Sequence, residues 1–167
     1  MSEARVGVGY DSHRFAPAAG GKPLVVGGIR IADGVGVVAH SDGDVAAHAV
    51  TDAVLGAAAL GDIGELFPNT DPANRDRDSI EMLSLAVARV RAAGWRVTNV
   101  DVTVVCERHK VGPHRAAIRE RLGAALGVGA DAVFVKGKTN EGLGWIGRDE
   151  GLACIAVASL VRSVAAP

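Results

Sequence analysis

Residues 97–106, VTNVDVTVVC, decide how the rest of the chain is read. β-Branched side chains dominate this run and neither proline nor glycine interrupts it, so it reads as a strand near the centre of a sheet. It stops abruptly at Glu107-Arg108-His109-Lys110. Downstream, Pro113 suits the first turn of a helix whose Ile118, Leu122 and Leu126 share one face and whose end is marked by Gly127. Residues 132–138 then read as a further strand. Upstream, Ser79 suits the N-cap of a helix with Ile80, Leu83, Ala86, Val87 and Val90 at helical spacing, stopped by Gly94.

Further out, residues 5–10 (RVGVGY) and 23–31 (PLVVGGIRI) read as strands, separated by a loop of proline, glycine and alanine. Ser41 or Asp42 suits the N-cap of a helix over residues 45–60, rich in alanine and leucine. The glycines and prolines of residues 61–72 (GDIGELFPNTDP) mark a long loop, and such loops are more often functional than merely connecting. Residues 151–164 read either as a buried helix or as a strand leading into one. Together the elements predict an α+β fold: a two-layer sandwich of a small mixed β-sheet with helices on one face, forming a single domain over residues 1–167. Aromatic residues are only 4 % of a chain rich in alanine and glycine, so the other sheet face is expected to pack against copies of itself.

Composition narrows the function. At 167 residues, 49 % of them hydrophobic, the chain can bury one core without staples. A formal charge of −1 argues against a nucleic-acid partner. Cys106 and Cys154 each sit in an apolar run, and nothing resembles a CxxC motif, so buried, reduced thiols and a cytoplasmic setting are expected. The first five residues carry no signal-like apolar stretch and no apolar run reaches bilayer length, so a soluble protein with no membrane partner is expected.

Chemistry concentrates near the N-terminus. Asp11 and His13 are two residues apart, which in an extended segment places both on one face. The segment HSDGDVAAH (40–48) follows, and on its helix Asp44, His48 and Asp52 are spaced i, i+4, i+8 and form one stripe. Asp11, His13 and His48 make a carboxylate–imidazole set that suits zinc and leaves a fourth tetrahedral position open. Asp44 and Asp52 are then expected to fix His48 by accepting its other N–H. The alternative is a solvated helix face, although arginine and lysine, usual on such a face, are absent between Lys22 and Arg75 except for Arg30. A second cluster, Lys136 and Lys138 to Glu141 followed by GLGWIGR (142–148), offers cations, a hydroxyl and flexible backbone N–H groups to a phosphate. Glu141 adds a carboxylate suited to a hard ion such as Mg²⁺. The alternative there is a glycine-rich connection with a solvated charge cluster.

The motifs GYDSHRF, GGIRI, AHSDGDVAAHAVTDAVLGAAALGDIGELFPNTDP, NVDVTVVCERHKVGPH and VKGKTNEGLGWIGRDEG occur in this order. With them the chain closely resembles the 2-C-methyl-D-erythritol 2,4-cyclodiphosphate synthase family of the non-mevalonate isoprenoid pathway, over essentially its whole length. The resemblance implies a homotrimer with active sites at subunit interfaces. It implies a cytidine diphosphate substrate, 4-diphosphocytidyl-2-C-methyl-D-erythritol 2-phosphate, whose 2-phosphate attacks the β-phosphorus to release CMP. By position, Asp11, His13 and His48 match the zinc ligands and Glu141 the ligand of a second ion, Mg²⁺ or Mn²⁺. His40 and Thr139 match positions that orient and stabilise the transferring phosphorus. Asp11, Ser12, His13, His40 and Ser41 are implied substrate neighbours. Asp62, Ile63 and Gly64, with Phe67, Pro68, Asn69, Thr70 and Asp71, match the loop that receives the methylerythritol part. Cys106, Glu107, Arg108, His109, Lys110, Val111 and Gly112, with Lys138, Thr139, Asn140 and Glu141, match cytidine and phosphate contacts. Trp145 and Arg148 match two more substrate positions. The chain departs from the family pattern at His109, where proline is usual, and at Lys138 and Asn140, which flank Thr139 where a threonine run is frequent. Two other functions fit the same residues: a zinc-dependent phosphohydrolase that activates water, and a non-enzymatic metal-binding trimer.

Overall fold

The computed structural model describes residues 3–17 and 20–163. The long strands are β1 (Ala4–Arg14), β6 (Trp95–Val105), β7 (Val133–Lys138) and β8 (Gly151–Arg162). Four two-residue strands, β2 (Lys22–Pro23), β3 (Val25–Val26), β4 (Ile29–Arg30) and β5 (Gly36–Val37), make two small ribbons. The helices are α1 (Val45–Ala58), α2 (Ile63–Leu66), α3 (Ser79–Ala92), α4 (Arg115–Leu126) and α5 (Gly144–Gly147). The main sheet has the order β1-β8-β6-β7, antiparallel except for the parallel pair β6–β7, so it is mixed. The strand expected over 97–106 is β6, which runs from Trp95 to Val105 and lies inside the sheet as expected.

β6 alternates in the way a sheet covered on one face requires: Val100, Val102 and Val104 are buried while Asp101, Thr103 and Val105 point the other way. Each buried valine contributes roughly 1.5–3 kcal/mol, and a one-residue slip would turn all three outward, so they hold the register. In β8, Leu152, Cys154, Ala156, Ala158 and Leu160 face the same side. α1 lies along β1 and β8, α3 packs on α1, and α4 covers β7. On the opposite face Val6, Val8, Tyr10 and Ile155 remain exposed.

β1 carries glycine where α1 crosses it. A Cβ on Gly7 would stand 2.2 Å from the Ala53 carbonyl oxygen, and one on Gly9 would stand 1.8 Å from that of Ala49. Any side chain there would drive the helix away, so the alternation in RVGVGY brings α1 into backbone contact with β1.

Elsewhere the bounds shift by a residue or two, and four segments stand out. β1 runs on through Asp11 and His13 to Arg14 instead of ending at Tyr10, because its pairing with β8 continues to Gly151. Residues 23–31 are not one strand: Gly27 and Gly28, both at positive φ, fold them into the β3–β4 hairpin. Of the two readings of residues 151–164, the strand is the one formed, over Gly151–Arg162, because pairing with β1 on one side and β6 on the other captures it; residue 164 lies outside the described residues. The loop 61–72 contains the single-turn helix α2.

Candidate metal centre and nucleotide pocket

Asp11 and His13 share the helix-facing side of β1 with Gly7 and Gly9, one residue in two. α1 begins directly above them. Its N-cap is Asp44, in place of the expected Ser41 or Asp42: the buried carboxylate accepts from Ala46 N at 3.1 Å and Ala47 N at 3.0 Å. It also reaches across to Gly27 N at 2.8 Å and Gly28 N at 2.5 Å. The β3–β4 turn therefore ties down the start of α1, and His48 in the first turn is carried to β1.

Among the described residues, Asp11, His13 and His48 bring three metal-ligating atoms together. Asp11 Oδ2 lies 2.9 Å from His48 Nδ1 and 3.0 Å from His13 Nε2, and the two nitrogens are 3.3 Å apart. Ligands about 2.0–2.1 Å from a tetrahedral zinc are separated by about 3.3 Å, so the triangle fits such an ion with little adjustment. Two imidazoles and one carboxylate are also a donor set that zinc accepts. Without a metal, the group is a charged cluster. Burial alone would raise the Asp11 carboxyl, but hydrogen bonds from His13 and His48, and their charges, hold it down to about 2. Burial would lower His48, but the Asp11 hydrogen bond and the charges of Asp11, Asp44 and Asp42 raise it above its ordinary value.

The triad opens into a cavity of about 220 Å³ lined also by His40, Ser41, Ile63, Gly64, Phe67 and Asn69, all anticipated from sequence, and by Asn74 and Met82, which were not. Asp62 and Asp71 serve instead as caps, accepting from Glu65 N at 2.8 Å and Ala73 N at 2.9 Å. The roles expected of Asp44 and Asp52 need correction. Asp44 bonds to backbone N–H groups, and Asp52 accepts from Ile63 N at 2.8 Å, which anchors the cavity loop; neither takes the second N–H of His48. That nitrogen, Nε2, faces Ser79 Oγ at 2.7 Å and Ser41 Oγ at 3.1 Å. Ser79 reads locally as a helix cap, and Asp78 caps α3 instead.

A second cavity, about 270 Å³, lies where β6 and β7 end. Cys106, Glu107, His109, Lys110, Val111, Gly112, Lys138 and Thr139 line it as anticipated, joined by Arg115. Arg108 instead pairs with Asp149 at 3.1 Å. His109 stacks edge-on against Phe15, ring centroids 5.5 Å apart, so an aromatic contact holds the loop. Beside this pocket Glu141 sits at φ 51, and Thr139 Oγ1 donates to its carboxylate at 2.8 Å. Glu107 accepts from Asn140 N at 3.0 Å and Gly142 N at 3.3 Å, so it straps the turn that presents Glu141. Trp145 lines a third groove with Ser12, Glu150 and His13, the last shared with the metal cavity, and Arg148 pairs with Glu150 at 2.6 Å. The metal cavity and the second cavity have no lining residue in common.

A model of the YgbB family matches residues 4–161. A curated relative from Gemmatimonas aurantiaca, named 2-C-methyl-D-erythritol 2,4-cyclodiphosphate synthase, is 61 % identical over 157 residues, covering 94 % of this chain and 93 % of the relative. The bifunctional IspDF from Campylobacter jejuni superposes with a TM-score of 0.91 at 39 % identity, covering 97 % of this chain, which spans 43 % of that longer one. IspF from Plasmodium falciparum in complex with CDP superposes with a TM-score of 0.84 at 32 % identity, covering 98 % of this chain and 99 % of the other.

Proposed function

The chain belongs to the YgbB family, and on that premise we propose that it converts 4-diphosphocytidyl-2-C-methyl-D-erythritol 2-phosphate into 2-C-methyl-D-erythritol 2,4-cyclodiphosphate and CMP. The reaction makes it a phosphorus–oxygen lyase of the non-mevalonate isoprenoid pathway. An oxygen of the 2-phosphate forms a bond to the β-phosphorus, and the bond from that phosphorus to the bridging oxygen breaks, with that oxygen leaving on CMP. The observation that carries this reading is the triangle of Asp11 Oδ2, His13 Nε2 and His48 Nδ1 on the wall of a cavity sized for a small polyol phosphate.

In this reading Asp11, His13 and His48 hold zinc, and Glu141 holds Mg²⁺ or Mn²⁺. Held by these residues, divalent ions would supply Lewis acidity that offsets the charge of the diphosphate. The chain's own residues do the rest. His40, exposed at the mouth of the metal cavity, and Thr139 orient the transferring phosphorus. The loop from Ile63 to Asn69 receives the methylerythritol part and keeps bulk water from the β-phosphorus. Lys110, Arg115 and Lys138 give the second cavity the positive charge that a nucleoside diphosphate needs, while the backbone at residues 106–112 receives the base.

The same reading makes the protein a homotrimer of single-domain subunits, each site combining the metal cavity of one copy with the nucleotide cavity of its neighbour. The separation of the two cavities within one chain and the exposed apolar sheet face support it. The two buried thiols accord with a cytoplasmic setting, and no helix of the described residues is long and apolar enough to cross a membrane. Phosphorus NMR of a reaction mixture tests the function. The expected result is cyclic diphosphate and CMP, lost on chelation of divalent metal and in His48→Ala. A linear phosphate product would instead establish the hydrolase, and zinc binding with no turnover the non-enzymatic trimer.

A further inference from the structure

Ser79 is completely buried, yet its hydroxyl is not spent on capping α3. It sits between two groups from the start of α1. One is Asp42, whose carboxylate is in short contact with Ser79 Oγ through Oδ1 and accepts from Ser79 N at 2.9 Å through Oδ2. The other is His48 Nε2, at 2.7 Å. The chemistry of these groups orders the protons. A carboxylate can only accept, so the Ser79 O–H points to Asp42, and the lone pairs that remain on Oγ face the imidazole. Nε2 must then carry the ring proton. Nδ1 is left with its lone pair aimed at the corner shared by Asp11 and His13.

Ser41, the other neighbour of Nε2 at 3.1 Å, imposes no such order. Its oxygen accepts weakly from Gly43 N at 3.3 Å and no carboxylate fixes its proton, so it can donate or accept. Without Ser79, the Nδ1–H tautomer, which donates to Asp11 at 2.9 Å, would compete with metal binding.

We propose that Asp42 and Ser79 are positioning residues that hold His48 in the Nε2–H tautomer and so make Nδ1 a metal ligand. This rests on the reading of Asp11, His13 and His48 as the zinc site. It also explains why α1 and α3 start side by side: Asp42 N donates to the Arg77 carbonyl at 3.2 Å, so the backbone joins the two helix starts that the side chains couple.

Zinc affinity at fixed pH, measured by competition with a chromogenic chelator, tests the relay without reference to turnover. Ser79→Ala and Asp42→Asn should each weaken zinc binding by about 10- to 100-fold, the range for partners behind a metal-bound histidine. The double variant should be no worse than the weaker single variant, because both act through one hydrogen-bond chain. Single variants within twofold of wild type, or fully additive losses, overturn the relay. A wild-type protein that binds no zinc at the triad overturns the zinc reading itself, and the relay with it. Should either variant fail to fold, imidazole ¹⁵N shifts of the zinc-loaded wild type decide. A proton on Nε2 of His48 is expected, and zinc on Nε2 overturns the proposal.

Discussion

The close approach of α1 to β1 makes Gly9 a control point for a site it does not touch. A Cβ added there would stand 1.8 Å from the Ala49 carbonyl oxygen and 2.8 Å from Ala53 N. Carbon–oxygen contacts settle at about 3.3 Å or more, so in Gly9→Ala the two backbones must part by about 1.5 Å. The obstacle is helix main chain, which cannot rotate aside as a side chain would. Overpacking of this kind costs about 1–3 kcal/mol, and the rigid obstacle puts Gly9→Ala at the upper end. For a chain of this size that is a fall of roughly 6–12 °C in melting temperature. The local effect is larger, because His48 immediately precedes Ala49. Retreat of α1 carries Nδ1 away from Asp11 and His13, against a tolerance of about 0.2 Å in ligand distance. Zinc affinity should drop by more than about 100-fold, beyond the loss from a single missing supporting partner. Gly56→Ala is the control in the same helix: a Cβ there meets nothing within 4 Å, so this variant should gain up to about 1 kcal/mol and bind zinc normally. Calorimetry with chelator competition on both proteins is the assay. Wild-type zinc affinity in Gly9→Ala would refute the claim that backbone contact sets the triad.

Four further outcomes follow from the same geometry. In the metal-free protein, Asp11 is depressed from 3.8 to about 2 and so stabilises above pH 3.8, with the contribution lost as pH falls toward 2. His48 is raised, so its contribution is full below pH 6.5 and is lost as pH rises through its higher folded value. The melting-temperature gap between wild type and His48→Ala should therefore be widest between these limits. Zinc affinity should run the other way, rising with pH as His48 gives up its proton, and a flat profile would contradict the assignment. Glu107→Ala frees two N–H groups of the turn bearing Glu141, so the Mg²⁺ concentration for half-maximal turnover should rise about tenfold, worth about 1.4 kcal/mol; an unchanged metal titration with reduced stability would make Glu107 structural only. Val8→Asp puts a charge on the open sheet face, where Val8 is 66 % exposed in the single chain, and light scattering should find monomers that still bind zinc. A trimer persisting in that variant would move the interface elsewhere.

The triad of Asp11, His13 and His48 was legible because each member follows from a local period. The two-residue spacing of Asp11 and His13 survives even though the strand is longer than its apolar part suggested, and His48 needed only a helix beginning near residue 44. The identity of the cap was not legible. Three acidic or hydroxyl residues in SDGD compete on equal local terms, and the choice of Asp44 depends on N–H groups of Gly27 and Gly28, which the β3–β4 hairpin delivers. The glycine pair was itself a turn signal, outweighed by the β-branched residues on either side. Residues 151–162 show the reverse conflict. Leu152, Cys154, Ala156, Ala158 and Leu160 alternate with period two, but alanine and leucine favour helix locally, and partners on both sides settled the matter.

The residues that support the triad fall on the far side of this divide. Asp44 and Asp52 were reasonable choices by helical spacing, since a stripe at i, i+4 and i+8 places them nearest to His48 along the helix. Spacing along one helix ranks neighbours on its surface, however, and Nε2 of His48 points away from β1, which Nδ1 faces through Asp11. It is therefore met by whatever packs on the helix from that side. Here this is the start of α3, where Ser79 is 31 residues from His48 in sequence and bonded to it at 2.7 Å. The triad comes from two elements packed directly on each other, β1 and α1. Its supports come from the next layer of packing, so a sequence reading that finds a metal triad should look for its partners in the helix that covers the ligand helix.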